Sequence, residues 1–147
     1  MASAKGPRAS LRLSRVLARL VYLARHPHTG LATLRAGWWA VSVLRKLRGE
    51  IAERGLEAQV EEPPRVSPDG LLGVEAALRY RHATCLERSL IVQRWLVSHG
   101  ISHEVLIGVS GGASGVEAHA WLEHYDAAQD DDFRVLSRVP ARTRADT

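Results

Sequence analysis

Cysteine is nearly absent from this sequence, which has only Cys85. A single thiol excludes an internal disulfide framework and a cysteine-rich zinc site. It leaves an inert thiol or a reactive one in a reducing compartment, so the cytoplasm is expected. Long apolar runs are also missing: nothing approaches the roughly 20 residues of a membrane span, and arginines interrupt the stretch that would form a secretory signal. No acidic residue precedes Glu50, whereas Lys5, Arg8, Arg12, Arg15, Arg19, Arg25, Arg35, Arg45, Lys46 and Arg48 all do. The basic pI of about 9.8 therefore belongs to the N-terminal segment, since the remainder is net acidic. There is no internal repeat. With 46% hydrophobic and 24% charged residues, the 147-residue chain suits one globular domain with a real core.

Leu11 to Ala24 carries Leu13, Val16, Leu17, Leu20, Val21 and Leu23 among Arg12, Arg15 and Arg19, the pattern of a basic amphipathic helix. Such a helix can cover a core, lie on an anionic surface or dock a partner, and its composition has the character of an organellar transit peptide. His26-Pro27-His28-Thr29-Gly30 reads as a break. A second helix is expected from about Leu31 to Arg54, with Leu34, Trp38, Val41 and Leu44 or Leu47 on its packed face. Trp38-Trp39 reads as packing rather than a ligand platform. Glu61-Glu62-Pro63-Pro64 and Ser67-Pro68-Asp69-Gly70 form a stiff polar linker. This divides the chain into a basic helical arm with linker (1–66), a core (67–140) and a loose tail (141–147). Ser67 or Asp69 can start a helix through Leu71, Leu72, Val74, Ala77 and Leu78 that ends near Arg81-His82.

Thr84-Cys85-Leu86-Glu87 reads as a capping box, with Thr84 as N-cap and Glu87 reaching back to its amide. Cys85 is then the first helical residue, beside unpaired amides and the positive end of the helix dipole, which favour a nucleophilic thiolate. Glu87 partly opposes that effect. The helix runs to His99, with Gly100 past its end. His103 to Val109 alternates as a half-buried strand, and Ser110 to Gly115 is a flexible hairpin connection without the lysine and following helix of a phosphate loop. Glu117 to Tyr125 forms the second strand, with His119 and Trp121 sharing a face. A third strand is centred near Phe133 to Leu136, after the acidic turn Asp126 to Asp132.

A cysteine at a helix N-terminus, a histidine in a later strand and an acid before the next strand is the order of a Cys-His-Asp triad. The thiolate attacks a carbonyl, the imidazole takes and returns the proton, and the carboxylate fixes the imidazole's tautomer. With 7 histidines and 16 acids in the chain, order alone permits other combinations.

The residues Cys85-Leu86-Glu87-Arg88-Ser89-Leu90, Gln93-Arg94-Trp95-Leu96, His99-Gly100-Ile101, Ile107-Gly108-Val109 and Ala118-His119-Ala120-Trp121-Leu122-Glu123 resemble the lasso peptide biosynthesis B2 proteins. These are leader peptidases with a transglutaminase-like, papain-related core. The resemblance runs from Cys85 to Phe133. It implies an α+β fold, N-terminal helices followed by a core whose catalytic cysteine heads a helix packed on a small antiparallel sheet. It also implies the activity: removal of the leader from a ribosomal precursor peptide, which frees the core's amine for a separate ATP-using cyclase that closes a macrolactam ring. Carried over by position, Cys85 is the nucleophile and His119 the general base. The acid is Asp131, with Asp130 in reserve and Asp132 third, because a one-residue shift turns a strand side chain to the other face. The Cys85 amide is the oxyanion donor that can be named. A separate leader-recognition protein of winged-helix type would deliver the precursor.

Other readings remain beside this one. A non-catalytic interaction module could keep the same fold, and an acyl-enzyme could be resolved by an amine, giving amide crosslinking. Metal binding by His82, Cys85, His99, His103, His119 or His124 is conceivable, but His99 and His103 straddle Gly100 and share no helical face, and His26 and His28 lack a nearby carboxylate or cysteine. Nucleic-acid binding lacks a recognised motif. The sequence therefore points to no cofactor, metal, nucleic-acid or membrane partner.

Overall fold

The computed structural model describes residues 27–112, 115–126 and 133–142, so the basic helix expected over Leu11 to Ala24 lies outside the described residues. Helix α1 (Pro27–Arg54) leads through a short 3-10 turn (Gly55–Glu57) and an extended segment to a second one (Pro68–Gly70). Helices α2 (Leu71–Tyr80) and α3 (Cys85–Ser98) follow, then strands β1 (Val105–Gly112), β2 (Gly115–Leu122) and β3 (Arg134–Val139). The strands form an antiparallel three-stranded sheet in the order β2-β1-β3. The fold is α+β, helices first and sheet last.

The break expected at His26 to Gly30 is corrected: residues 27–30 are already helical. Proline is tolerated in a first turn, where its missing N–H has no partner to lose and its fixed φ suits the helix. The packed face of α1 also differs from expectation. Leu34 and Trp38 point outward, 72% and 79% exposed, while Ala32, Ala36, Trp39, Ala40, Val43, Leu44 and Leu47 are buried. Small residues win that face because α1 and α2 cross almost backbone to backbone. A Cβ on Gly73 would stand 1.9 Å from the Thr33 carbonyl oxygen, and one on Gly37 would stand 3.2 Å from the Gly73 carbonyl oxygen.

Trp39, Leu44 and Leu47 of α1 share one core with Val74 and Leu78 of α2, Ile91 and Trp95 of α3, and Val105, Ala120 and Leu122 of the sheet. Trp39 and Trp95 meet with ring centroids 5.7 Å apart, the packing role expected for one of the two adjacent tryptophans. Buried Gln93 joins the layers. Its amide nitrogen donates to the His103 carbonyl at 2.8 Å and the Val139 carbonyl at 3.0 Å, tying α3 to the end of the β1/β3 pair where β1 begins and β3 finishes. Buried backbone carbonyls left without donors are costly, so these two bonds specify the docking of helix on sheet.

The hairpin ladder runs from Val105 opposite Leu122 to Gly112 opposite Gly115, so pairing continues through much of the stretch expected to be a loose connection. Strand β2 ends at Leu122 rather than Tyr125. His124 adopts a left-handed φ of 60°, and the amides of Tyr125 and Asp126 both turn back to the Leu122 carbonyl. Among the described residues no helix is long and apolar enough to cross a membrane.

Candidate active site

Thr84 takes an extended conformation just before α3, and its hydroxyl accepts from the Glu87 amide at 3.3 Å. The Glu87 carboxylate in turn accepts from the Thr84 amide at 2.8 Å. This reciprocal capping box makes half-buried Cys85 the first residue of the helix, as its sequence predicts. Its thiol therefore sits where backbone N–H groups lack helical partners.

Glu87 is only 7% exposed. Burial opposes its ionisation, but hydrogen bonds from Arg48 and the Thr84 amide, with the Arg48 charge, outweigh burial and hold the carboxyl below the usual carboxylate range. Arg48 comes from α1, its Nε donating to Glu87 Oε1 at 2.9 Å.

One turn further along, the buried Ser89 hydroxyl donates to the Ala120 carbonyl at 3.2 Å, pinning α3 to the residue beside His119. Alternation along β2 turns Ala120 and Leu122 to the core and His119 with Trp121 to the other face. There the imidazole and indole lie nearly parallel, 12° apart with centroids at 6.1 Å, and Phe133 packs on the imidazole at 5.5 Å and on the indole at 5.8 Å. Gly108 is opposite His119 on β1, and a Cβ there would meet Trp121 at 2.8 Å, so the indole needs a glycine across the ladder.

Cys85 and His119 border one open pocket of about 540 Å³, together with Glu75, Arg88, Ala120, Tyr125 and Asp126. Its polar wall is an ion-pair cluster. Arg88 reaches both oxygens of Glu75, at 2.8 and 3.2 Å, and Asp126 at 3.1 Å. Asp126 also accepts from the Leu122 amide at 2.9 Å, so one carboxylate closes the turn after β2 and anchors a side chain of α3. Burial lowers the basicity of Arg88, but Asp126 and Glu75 more than reverse this and lock the guanidinium in its charged form. Burial beside Glu75 pushes the Tyr125 phenol up.

Of the site residues expected from sequence, the fold thus brings Cys85 and His119 to one pocket, while Asp130, Asp131 and Asp132 lie outside the described residues. Glu75, Arg88, Tyr125, Asp126 and Arg48 are the additions. Their one sequence signal is an arginine next to the capping glutamate, and it names no partner. No group of three metal-ligating side chains comes together among the described residues. His99 is engaged elsewhere: its ring nitrogens lie 2.8 Å from the Trp95 carbonyl oxygen and 3.0 Å from that of Val66.

A thiol at a helix N-terminus and an imidazole on one cleft are the components of nucleophilic acyl chemistry, the thiol forming a thioester and the imidazole handling the proton. No curated protein and no solved structure matches the chain. A family profile does, over residues 31–139, a span that takes in α1 as well as the cysteine helix and the sheet. Capped cysteine helix, histidine strand and profile agree, and the chain belongs to the Transglutaminase-like superfamily, in which cysteine-protease or transglutaminase activity is common.

Proposed function

We propose that this protein is a cysteine peptidase that removes the leader from a lasso peptide precursor. The observation that carries the reading is that Cys85, heading a capped helix, and His119, on β2, border the same pocket. The sequence blocks around these two residues, which resemble the B2 leader peptidases, support the choice of substrate.

In this mechanism the Cys85 thiolate attacks the carbonyl at the leader–core junction, and the Cys85 amide donates to the oxyanion that forms. His119, having taken the thiol proton, returns it to the departing amine as the C–N bond breaks, which releases the core with a free N-terminus. Water, deprotonated by His119, then cleaves the thioester and releases the leader as a carboxylic acid. Asp131, or Asp130 in its place, orients the imidazole and stabilises its charged form. The protein acts in the cytoplasm, where its thiol stays reduced. A separate winged-helix leader-recognition protein presents the precursor, and a separate cyclase takes the freed amine.

The test is mass spectrometry of the cognate precursor incubated with this protein and the leader-recognition protein, in parallel with Cys85→Ala and His119→Ala. A cut at the leader–core junction, reduced about 10³-fold or more in both variants, is expected. A precursor left intact by the folded wild-type protein with its partner bound would point to a non-catalytic module. An amide-linked adduct with no free core would point to acyl transfer.

A further inference from the structure

Building on the reading of Cys85 as a nucleophile, we propose that Arg48 is a positioning residue for that cysteine, pairing with Glu87 so that the capping box holds together and its carboxylate charge no longer opposes a thiolate two residues away. The problem Arg48 solves is built into the sequence. A capping box needs a glutamate at its third position, and that glutamate places a negative charge at the helix end where the nucleophile's negative charge must form. Glu87 is buried, so water screens that charge poorly.

The structure answers with a cation from another element. Arg48, 39 positions earlier on α1, gives its Nε to Glu87 Oε1 at 2.9 Å and its Nη2 to Oε2 at 3.4 Å, while Oε2 also receives the Thr84 amide at 2.8 Å. The carboxylate is neutralised and aimed at once, so the cap is retained without its electrostatic penalty. The charged or titratable groups that border the pocket beside Cys85 are Glu75, Arg88, Asp126, Tyr125 and His119. Arg88 is committed to Glu75 and Asp126, which leaves Arg48 as the cation paired with Glu87.

The test reads the thiol without any peptide. Cys85 is the only cysteine, so intact mass after iodoacetamide treatment reports it alone. Alkylation rates are measured from about pH 5 to pH 9, the range in which protein thiols ionise, for wild type, Arg48→Met, Arg48→Lys, Glu87→Gln and the double variant Arg48→Met/Glu87→Gln.

Arg48→Met moves the profile to higher pH and slows alkylation at neutral pH roughly three- to tenfold, and Arg48→Lys restores most of the rate. Glu87→Gln keeps an acceptor for the Thr84 amide but carries no charge, so it is not slowed, and adding Arg48→Met to it changes nothing. A profile for folded Arg48→Met that coincides with wild type overturns the inference. So does an equal slowing by Arg48→Met in the Glu87→Gln background, which decides the matter even if the single variant fails to fold. An intact precursor would sink the peptidase reading and leave this result standing. Coincident profiles would sink the inference and leave cleavage to be judged by precursor mass.

Discussion

At the N-terminal end of α3, Arg48 pairs with the capping Glu87, and Arg88 pairs with Glu75 and Asp126 on the rim of an open pocket, so charge-assisted hydrogen bonds hold the helix. At its C-terminal end, Trp95 is 1% exposed in the core, and His99 packs against it, tilted, with ring centroids 4.8 Å apart, and bridges to the extended segment through the Val66 carbonyl. One helix thus has a polar end that presents the Cys85 thiol and an apolar end that fixes the helix in the fold. Polar contacts suit the first task because they set direction and local charge, and apolar packing suits the second because it contributes more free energy per residue.

Substitutions at the two ends test this division. Trp95→Ala has the largest expected effect on stability, about 3–5 kcal/mol, because it removes a core tryptophan that touches α1 and leaves a cavity. Chemical denaturation checks it, and a loss under 1 kcal/mol would break the comparison. Arg88→Met strands two carboxylates against the pocket. Its side chain is 31% exposed, so the loss should be about 1–2 kcal/mol, below that of a fully buried pair. It should shrink as salt is raised, whereas the Trp95→Ala loss should not.

His99→Ala removes the link to Val66 and should cost about 1 kcal/mol by the same assay, with Cys85 alkylation unchanged. The smallest effect is a pH dependence. Glu87 has its carboxyl lowered in the folded state, so its contribution is present above the ordinary carboxylate value near pH 4 and is lost as pH falls through the lowered one. Thermal melts should therefore show wild type losing more stability than Glu87→Gln on acidification below about pH 4, with the two converging. Parallel curves would show that the Arg48–Glu87 pair is electrostatically idle.

How far each feature could be read in advance follows from how far apart its partners lie in the chain. The capping box was legible because Thr84 and Glu87 are three positions apart, and the helix entrance it creates places Cys85 without reference to anything else. The strand alternation that separates His119 and Trp121 from Ala120 and Leu122 was legible for the same reason. The face of α1 was misread because hydrophobicity alone favours Leu34 and Trp38 over Ala36 and Ala40. Only the close crossing at Gly37 and Gly73 selects small residues for the inner side.

Asp126 lay in plain sight as part of an acidic turn, yet its pairing with Arg88 spans 38 positions and depends on where β2 ends. Local chemistry thus decided the capped helix, the thiol at its start and the strand that carries the imidazole, because hydrogen bonds between near neighbours and side-chain alternation need no distant partner. Folding in three dimensions decided that thiol and imidazole border one pocket, that Arg88 is held between two carboxylates there, and that an arginine of α1 answers the charge of Glu87. That arrangement exists only once helices and sheet have packed around Trp95.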